Sequence, residues 1–169
     1  MRASLFAVLA LVLFVTVGAF ADDTKVTLTD VHICCGKCAD AIVAAGKASG
    51  ATVTADKESK KVEIVAKDTA TAQAAADAIV AAGFIGKSDN KDVVIKPAAV
   101  GEGKVTSLDL TTHNCCPKCT KAIDAAAKTA AGVTSTTAVA KEPKFSIKGD
   151  FDAAAAGKAM NDAGFQVSK

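Results

Sequence analysis

Cysteine and histidine are the residues of this chain with the greatest capacity for chemistry, and all of them fall in two short stretches. The 169-residue sequence has six cysteines and two histidines. One group is His32, Cys34, Cys35 and Cys38; the other is His113, Cys115, Cys116 and Cys119. Each reads His-x-Cys-Cys-x-x-Cys, and the second follows the first by 81 residues. Thiolates are soft ligands suited to Cu(I), Zn(II) and similar ions, and imidazole is a borderline one. Three sulfurs and one nitrogen also form a recognised tetrahedral zinc set.

The spacing says how the donors are presented. Cys35 and Cys38, like Cys116 and Cys119, form a Cys-x-x-Cys turn that puts two sulfurs on neighbouring corners of one loop. A helix starting at that loop places its positive end beside them and favours thiolate over thiol. Adjacent residues point in different directions in extended chain, so Cys34 and Cys115 need not reach the same ion as their neighbours. Two alternatives use the same residues. Cys35/Cys38 and Cys116/Cys119 could exchange thiol and disulfide, with the first cysteine as nucleophile and the second as resolver. Structural disulfides are the other alternative in an oxidising compartment, but three cysteines per loop leave one unpaired.

The elements that position these loops repeat as well. Ala78, Ile79, Ala82, Gly83 and Phe84 recur 81 residues later as Ala159, Met160, Ala163, Gly164 and Phe165. Matches at both ends of a unit indicate two domains rather than a copied motif. In the first, strand-forming residues 26–31 lead into the cysteine loop, and residues 36–47 have helical periodicity, with Gly50 beyond. Strands are expected at 51–55 and 61–66. A second helix capped by Asp68 or Thr69 should run to Ala82, before Gly83, and a last strand should begin at Phe84. The second copy gives a strand over 105–112, a helix over 117–130 with Pro117 in its first turn, strands over 133–139 and 144–147, a helix capped by Asp150, and a closing segment 165–167. Both copies read βαββαβ, an α+β, ferredoxin-like arrangement with a four-stranded antiparallel sheet and two helices on one face. The domains are expected at 22–96 and 104–169, joined by a linker over 97–103. Two features do not fit the repeat. Residues 92–95 (Asp-Val-Val-Ile) are a strand signal without a counterpart, and Leu28 and Leu108 match at an offset of 80, a one-residue slip that a bulge near one loop would absorb.

Both copies resemble the heavy-metal-associated domain family of copper chaperones, copper-pumping ATPases and periplasmic mercuric-ion-binding proteins. The resemblance implies the βαββαβ fold and assigns the family's two metal-binding cysteines to Cys35 and Cys38, and to Cys116 and Cys119. The family's glycine and methionine positions hold His32 and Ile33, then His113 and Asn114, and its variable slot holds Cys34 and Cys115. Cys34, Cys115, His32 and His113 are therefore candidate extra ligands that would raise the coordination number from the two of Cu(I) toward what Zn(II) prefers. Cu(I) is expected from the resemblance and Zn(II) from the ligand count, with other soft ions also compatible. Two such sites suggest storage or relay, with a metal-donor or acceptor protein as partner.

The rest of the sequence narrows the setting. Arg2, an apolar run from Leu5 to Phe20, and small residues at Ala19 and Ala21 give the layout of a secretory signal peptide over 1–21. The run is short for a membrane span, which takes about 20 residues. A periplasmic or secreted location is thus expected, with no membrane association after cleavage. Cleavage removes the only arginine and lowers the formal charge from +2 to +1. A near-neutral surface with lysine as its only strongly basic residue and few aromatics gives no footprint for nucleic acid. No hydrolytic triad, phosphate-binding glycine loop or pair of acid–base carboxylates is present, so the chain reads as a non-enzymatic metal carrier, buffer or scavenger.

Overall fold

The computed structural model describes residues 23–169, and the segment read as a signal peptide, 1–21, lies outside the described residues. In the first unit, β1 (Thr24–Thr29) runs into the cysteine loop and α1 (Gly36–Lys47), followed by β2 (Thr52–Asp56), β3 (Lys61–Ala66), α2 (Thr69–Ala81) and β4 (Lys87–Ser88). The sheet order is β2-β3-β1-β4 and every pairing is antiparallel. Alternation in β1 and β3 turns Val26, Leu28, Val62 and Ile64 inward, and Ile42, Ala72, Ala75, Ala76 and Ile79 of the helices cover them. Asp68 caps α2 by accepting from the Thr71 N–H at 2.7 Å.

The last strand is shorter and later than expected. Phe84 is buried and belongs to no named strand, and β4 pairs with β1 only at Leu28 and Thr29. Beyond Ser88, side chains take over the edge: Asp89 Oδ1 accepts from the Thr27 N–H at 2.7 Å, and Asn90 Nδ2 donates to the Lys25 carbonyl at 3.2 Å. The strand signal at 92–95 does not become a strand. Val93 turns into the core after an Asn90 turn. Val94 is pinned instead to α2, where the Gln73 amide accepts from its N–H at 2.8 Å and donates to its carbonyl at 2.9 Å. A single side-chain amide thus satisfies the backbone groups that a neighbouring strand would have taken.

The second unit has the same order: β5 (Lys104–Thr111), α3 (Pro117–Ala127), β6 (Val133–Thr136), β7 (Lys144–Asp152) and α4 (Ala153–Asp162). Its sheet is β5-β7-β6, and the fourth strand is reduced to one bridge between Thr111 and Ser168. Together the units form an α+β structure of two ferredoxin-like sandwiches. Asp150 does not cap the last helix. β7 runs through it, and Asp152 is the cap, accepting from the Ala155 N–H at 2.9 Å. Residues 97–103 do more than link the units, because Val100 is buried in the second core.

The one-residue slip lies in the first loop. Leu28 pairs with Val62 and the Val31 N–H donates to the Lys60 carbonyl; Leu110 pairs with Phe145 and the Thr112 N–H donates to the Pro143 carbonyl. Leu28 therefore corresponds to Leu110, and the first copy has one residue more before its histidine. The backbone takes up that residue at Asp30, which has φ of 62°, a left-handed conformation uncommon outside glycine.

Candidate metal centre

The two cysteine loops do not form separate sites; they face each other across the contact between the units. The contact is nearly two-fold symmetric. Gly83 and Gly164, each ending the second helix of its unit, exchange backbone bonds: Ile85 and His32 donate their N–H groups to the Gly164 carbonyl at 3.2 and 3.3 Å, and Gln166 donates to the Gly83 carbonyl at 3.1 Å. Phe84 and Phe165 form a bridge between the units. His32 stacks on Phe165 with centroids 4.0 Å apart, and His113 lies against Phe84 at 4.5 Å. Each histidine of one unit thus rests on the phenylalanine of the other. Both glycines have positive φ, and a Cβ would lie 2.4 Å from the His113 nitrogen at Gly83 and 2.3 Å from the His32 nitrogen at Gly164. Only glycine allows this approach.

The contact gathers all six sulfurs. Cys34 Sγ lies 3.3 Å from Cys119 Sγ, 3.6 Å from Cys116 Sγ and 3.7 Å from Cys38 Sγ. Cys115 Sγ lies 3.7 Å from both Cys35 and Cys38 and 3.8 Å from Cys119. Cys38 and Cys119, 3.8 Å apart, are fully buried, and the other four are partly buried. All six are free thiols. Triads whose donor atoms all lie within 4.8 Å of one another include Cys34, Cys35 and Cys38; Cys35, Cys115 and Cys116; Cys38, Cys115 and Cys119; and His32, Cys34 and Cys119. All of these but the first draw on both loops. The extra cysteines thus do reach the same neighbourhood as the Cys-x-x-Cys pairs. His113 lies beside the Cys38 thiol, whose ionisation it favours. This sulfur-rich donor set is that of a soft-metal site.

The electrostatics differ from corner to corner. Burial pushes the Cys34 thiol well up, and Cys115 up to about 12, with thiol neighbours adding to the effect at Cys115. Cys38 is also raised, by its contact with the Cys119 thiol and then by burial. Cys116 falls to about 7: burial opposes ionisation, but the Cys119 and Lys118 backbone and the Cys34 thiol outweigh it. Cys116 caps α3 as Cys35 caps α1, both in extended backbone at the positive helix end. Burial, then Lys60 and His113, lowers His32 to about 4, and the buried Nε2 atoms of both histidines lack a hydrogen-bond partner. The neutral His32 imidazole is ready to ligate or to donate to sulfur.

Phe84, Phe165, Gly83 and Gly164 shape the site, yet their sequence signal marked only duplication. That signal, a second repeated patch ending in Gly-Phe, was the available hint that something besides the cysteines needed to recur. Asn114 is a further positioning residue, and its type and spacing in the sequence do not mark it as one. It is buried, donates to the Val139 and Glu142 carbonyls at 2.8 and 3.1 Å, and accepts from the Thr120 hydroxyl. A groove of about 550 Å³ lined by Gly83, Thr112, His113 and Cys115 runs beside the sulfurs, with Lys37 and Lys141 also lining it.

No family model matches the chain, and no curated protein matches it. Among solved structures, it is similar to the solution structure of the N-terminal soluble domains of Bacillus subtilis CopA. The identity is 13%, the match covers 88% of this chain and 94% of that one, and the TM-score is 0.32. A likeness that weak carries no functional argument.

Proposed function

We propose that this protein is an exported carrier, buffer or scavenger of soft metal ions, with Cu(I) as its preferred cargo. The observation that carries the reading is the convergence of six free thiols from two loops, with contacts of 3.3 to 3.9 Å. Six thiolates so close repel one another, and monovalent soft cations between them remove that cost while satisfying every sulfur. Zn(II) favours four ligands in a tetrahedron, whereas the sulfurs here group in threes. Export rests on the residues around Arg2, Ala19 and Ala21. Among the described residues no helix is long and apolar enough to cross a membrane. A metal-donor or acceptor protein would load or empty the site, and the groove lined by Lys37, Lys141 and Cys115 offers an approach. No catalytic step is proposed.

The test is to offer the reduced protein Cu(I) or Zn(II) against a chromogenic chelator and weigh the products by native mass spectrometry. Retention of Cu(I) in preference to Zn(II) is expected. Retention of neither ion overturns the reading. The thiol–disulfide alternative has one observation in its favour, the ionisable Cys116 at a helix start. It predicts disulfide reductase activity that Cys116→Ser abolishes with copper uptake unchanged.

A further inference from the structure

Given that soft-metal reading, we infer that the six sulfurs are the cage of a single four-ion cluster shared by both units. The argument is geometric. The pattern of sulfur contacts is that of a distorted octahedron with one sulfur at each corner. Nine of its twelve edges are the contacts of 3.3 to 3.9 Å. The other three, Cys34–Cys35, Cys35–Cys116 and Cys115–Cys116, fall within 4.8 Å. The pairs absent from both sets are Cys34/Cys115, Cys35/Cys119 and Cys38/Cys116. We assign them as the three diagonals, and the pseudo-two-fold maps this set onto itself.

An octahedron has four alternating triangular faces, and each corner belongs to two of them. Here one such set is Cys34/Cys35/Cys38, Cys35/Cys115/Cys116, Cys38/Cys115/Cys119 and Cys34/Cys116/Cys119. The first three lie within 4.8 Å throughout, and the last has edges of 3.6, 3.3 and 3.8 Å. An ion centred on a face of this size sits about 2 Å from each sulfur, so expansion of a few tenths of an ångström reaches a metal–thiolate bond of about 2.3 Å. Each ion then has three sulfurs and each sulfur bridges two ions. Binding four Cu(I) releases the six thiol protons, leaves the copper oxidation state unchanged, and takes the cage from neutral to a charge of two minus. That is far less than the six minus of bare thiolates in a half-buried site.

The geometry also gives Cys34 and Cys115 a role. They are opposite corners, and each of the four faces contains one of them and never both. Removing the pair therefore removes one ligand from every ion, while both Cys-x-x-Cys pairs remain. Two separate family-type sites would not notice the loss.

The experiment is a Cu(I) titration of the reduced protein followed by native mass spectrometry, repeated on Cys34→Ser/Cys115→Ser. The wild type is expected to pass from metal-free to four Cu(I) per chain with few intermediates, and the variant to bind two at most, one after another. X-ray absorption of the loaded wild type should show three sulfurs around copper and a copper–copper path, a readout that does not depend on the variant folding. Wild-type saturation at one or two ions, absence of the copper–copper path, or a variant that still takes four would each overturn the cluster while leaving soft-metal binding intact. Failure to retain any Cu(I) would remove both readings.

Discussion

The two units differ most where the metal loops meet their scaffolds and least where they meet each other. Behind the first loop is Ile33, buried in the core; at the same place in the second is Asn114, equally buried but bonded to the Val139 and Glu142 carbonyls. One helix begins with Gly36 and the other with Pro117; one approach to the loop has the extra Asp30, and the other does not. In contrast, His, Cys, Cys, Cys, Gly and Phe recur in both and all lie at the contact between units. What the copies share is the surface that needs both of them. What they do not share is how each holds that surface in place.

The comparison can be broken at its symmetric part first. Gly83→Ala and Gly164→Ala should each destabilise the protein by about 2–4 kcal/mol, combining left-handed backbone with a clash against the opposite histidine. Both should also reduce copper uptake with every ligand present. Gly50→Ala has a similar φ of 83° but open space around it, and should cost only about 1 kcal/mol and leave copper uptake unchanged. Denaturant unfolding with a copper assay separates these outcomes; equal costs at all three glycines would refute the contact.

The asymmetric part is tested by exchanging the residues behind the loops. Ile33→Asn puts an amide into an apolar pocket and should cost about 3 kcal/mol. Asn114→Ile leaves two carbonyls without their partner and should cost about 1–3 kcal/mol, loosening residues 139–142 in hydrogen exchange. If the two exchanges cost the same and leave that loop's protection unchanged, the scaffolds are interchangeable. The smallest effect is expected at Gln73→Ala, about 1 kcal/mol, with the Val94 amide losing its protection against exchange while β1 keeps its own.

Much of the scaffold was legible in the sequence. Periodicity and the Asp68 cap gave α1 and α2 almost to the residue, because helix ends follow local chemistry. The limits appear where distant groups compete for one role. Residues 92–95 have the composition of a strand, but the edge of β1 is already filled by β4 and by the side chains of Asp89 and Asn90. Asp150 is a good cap by type, yet Asp152 takes that role because β7 stays paired with β5 as far as Asp152. The candidate ligands were all identifiable from their spacing. Their union in one place was not, since sequence periodicity describes each unit alone and cannot show which surfaces of two similar units face each other.

The connection between the units has a consequence for how the centre responds to protein concentration. Val93 is anchored in one core and Val100 in the other, so the chain between them is short and held at both ends. Had the halves been separate molecules, the cage would come apart whenever the protein became dilute, as any dimer does. Tethering fixes the effective concentration of each half near the other at the millimolar level or above. Occupancy then depends on free metal alone and not on how dilute the protein is.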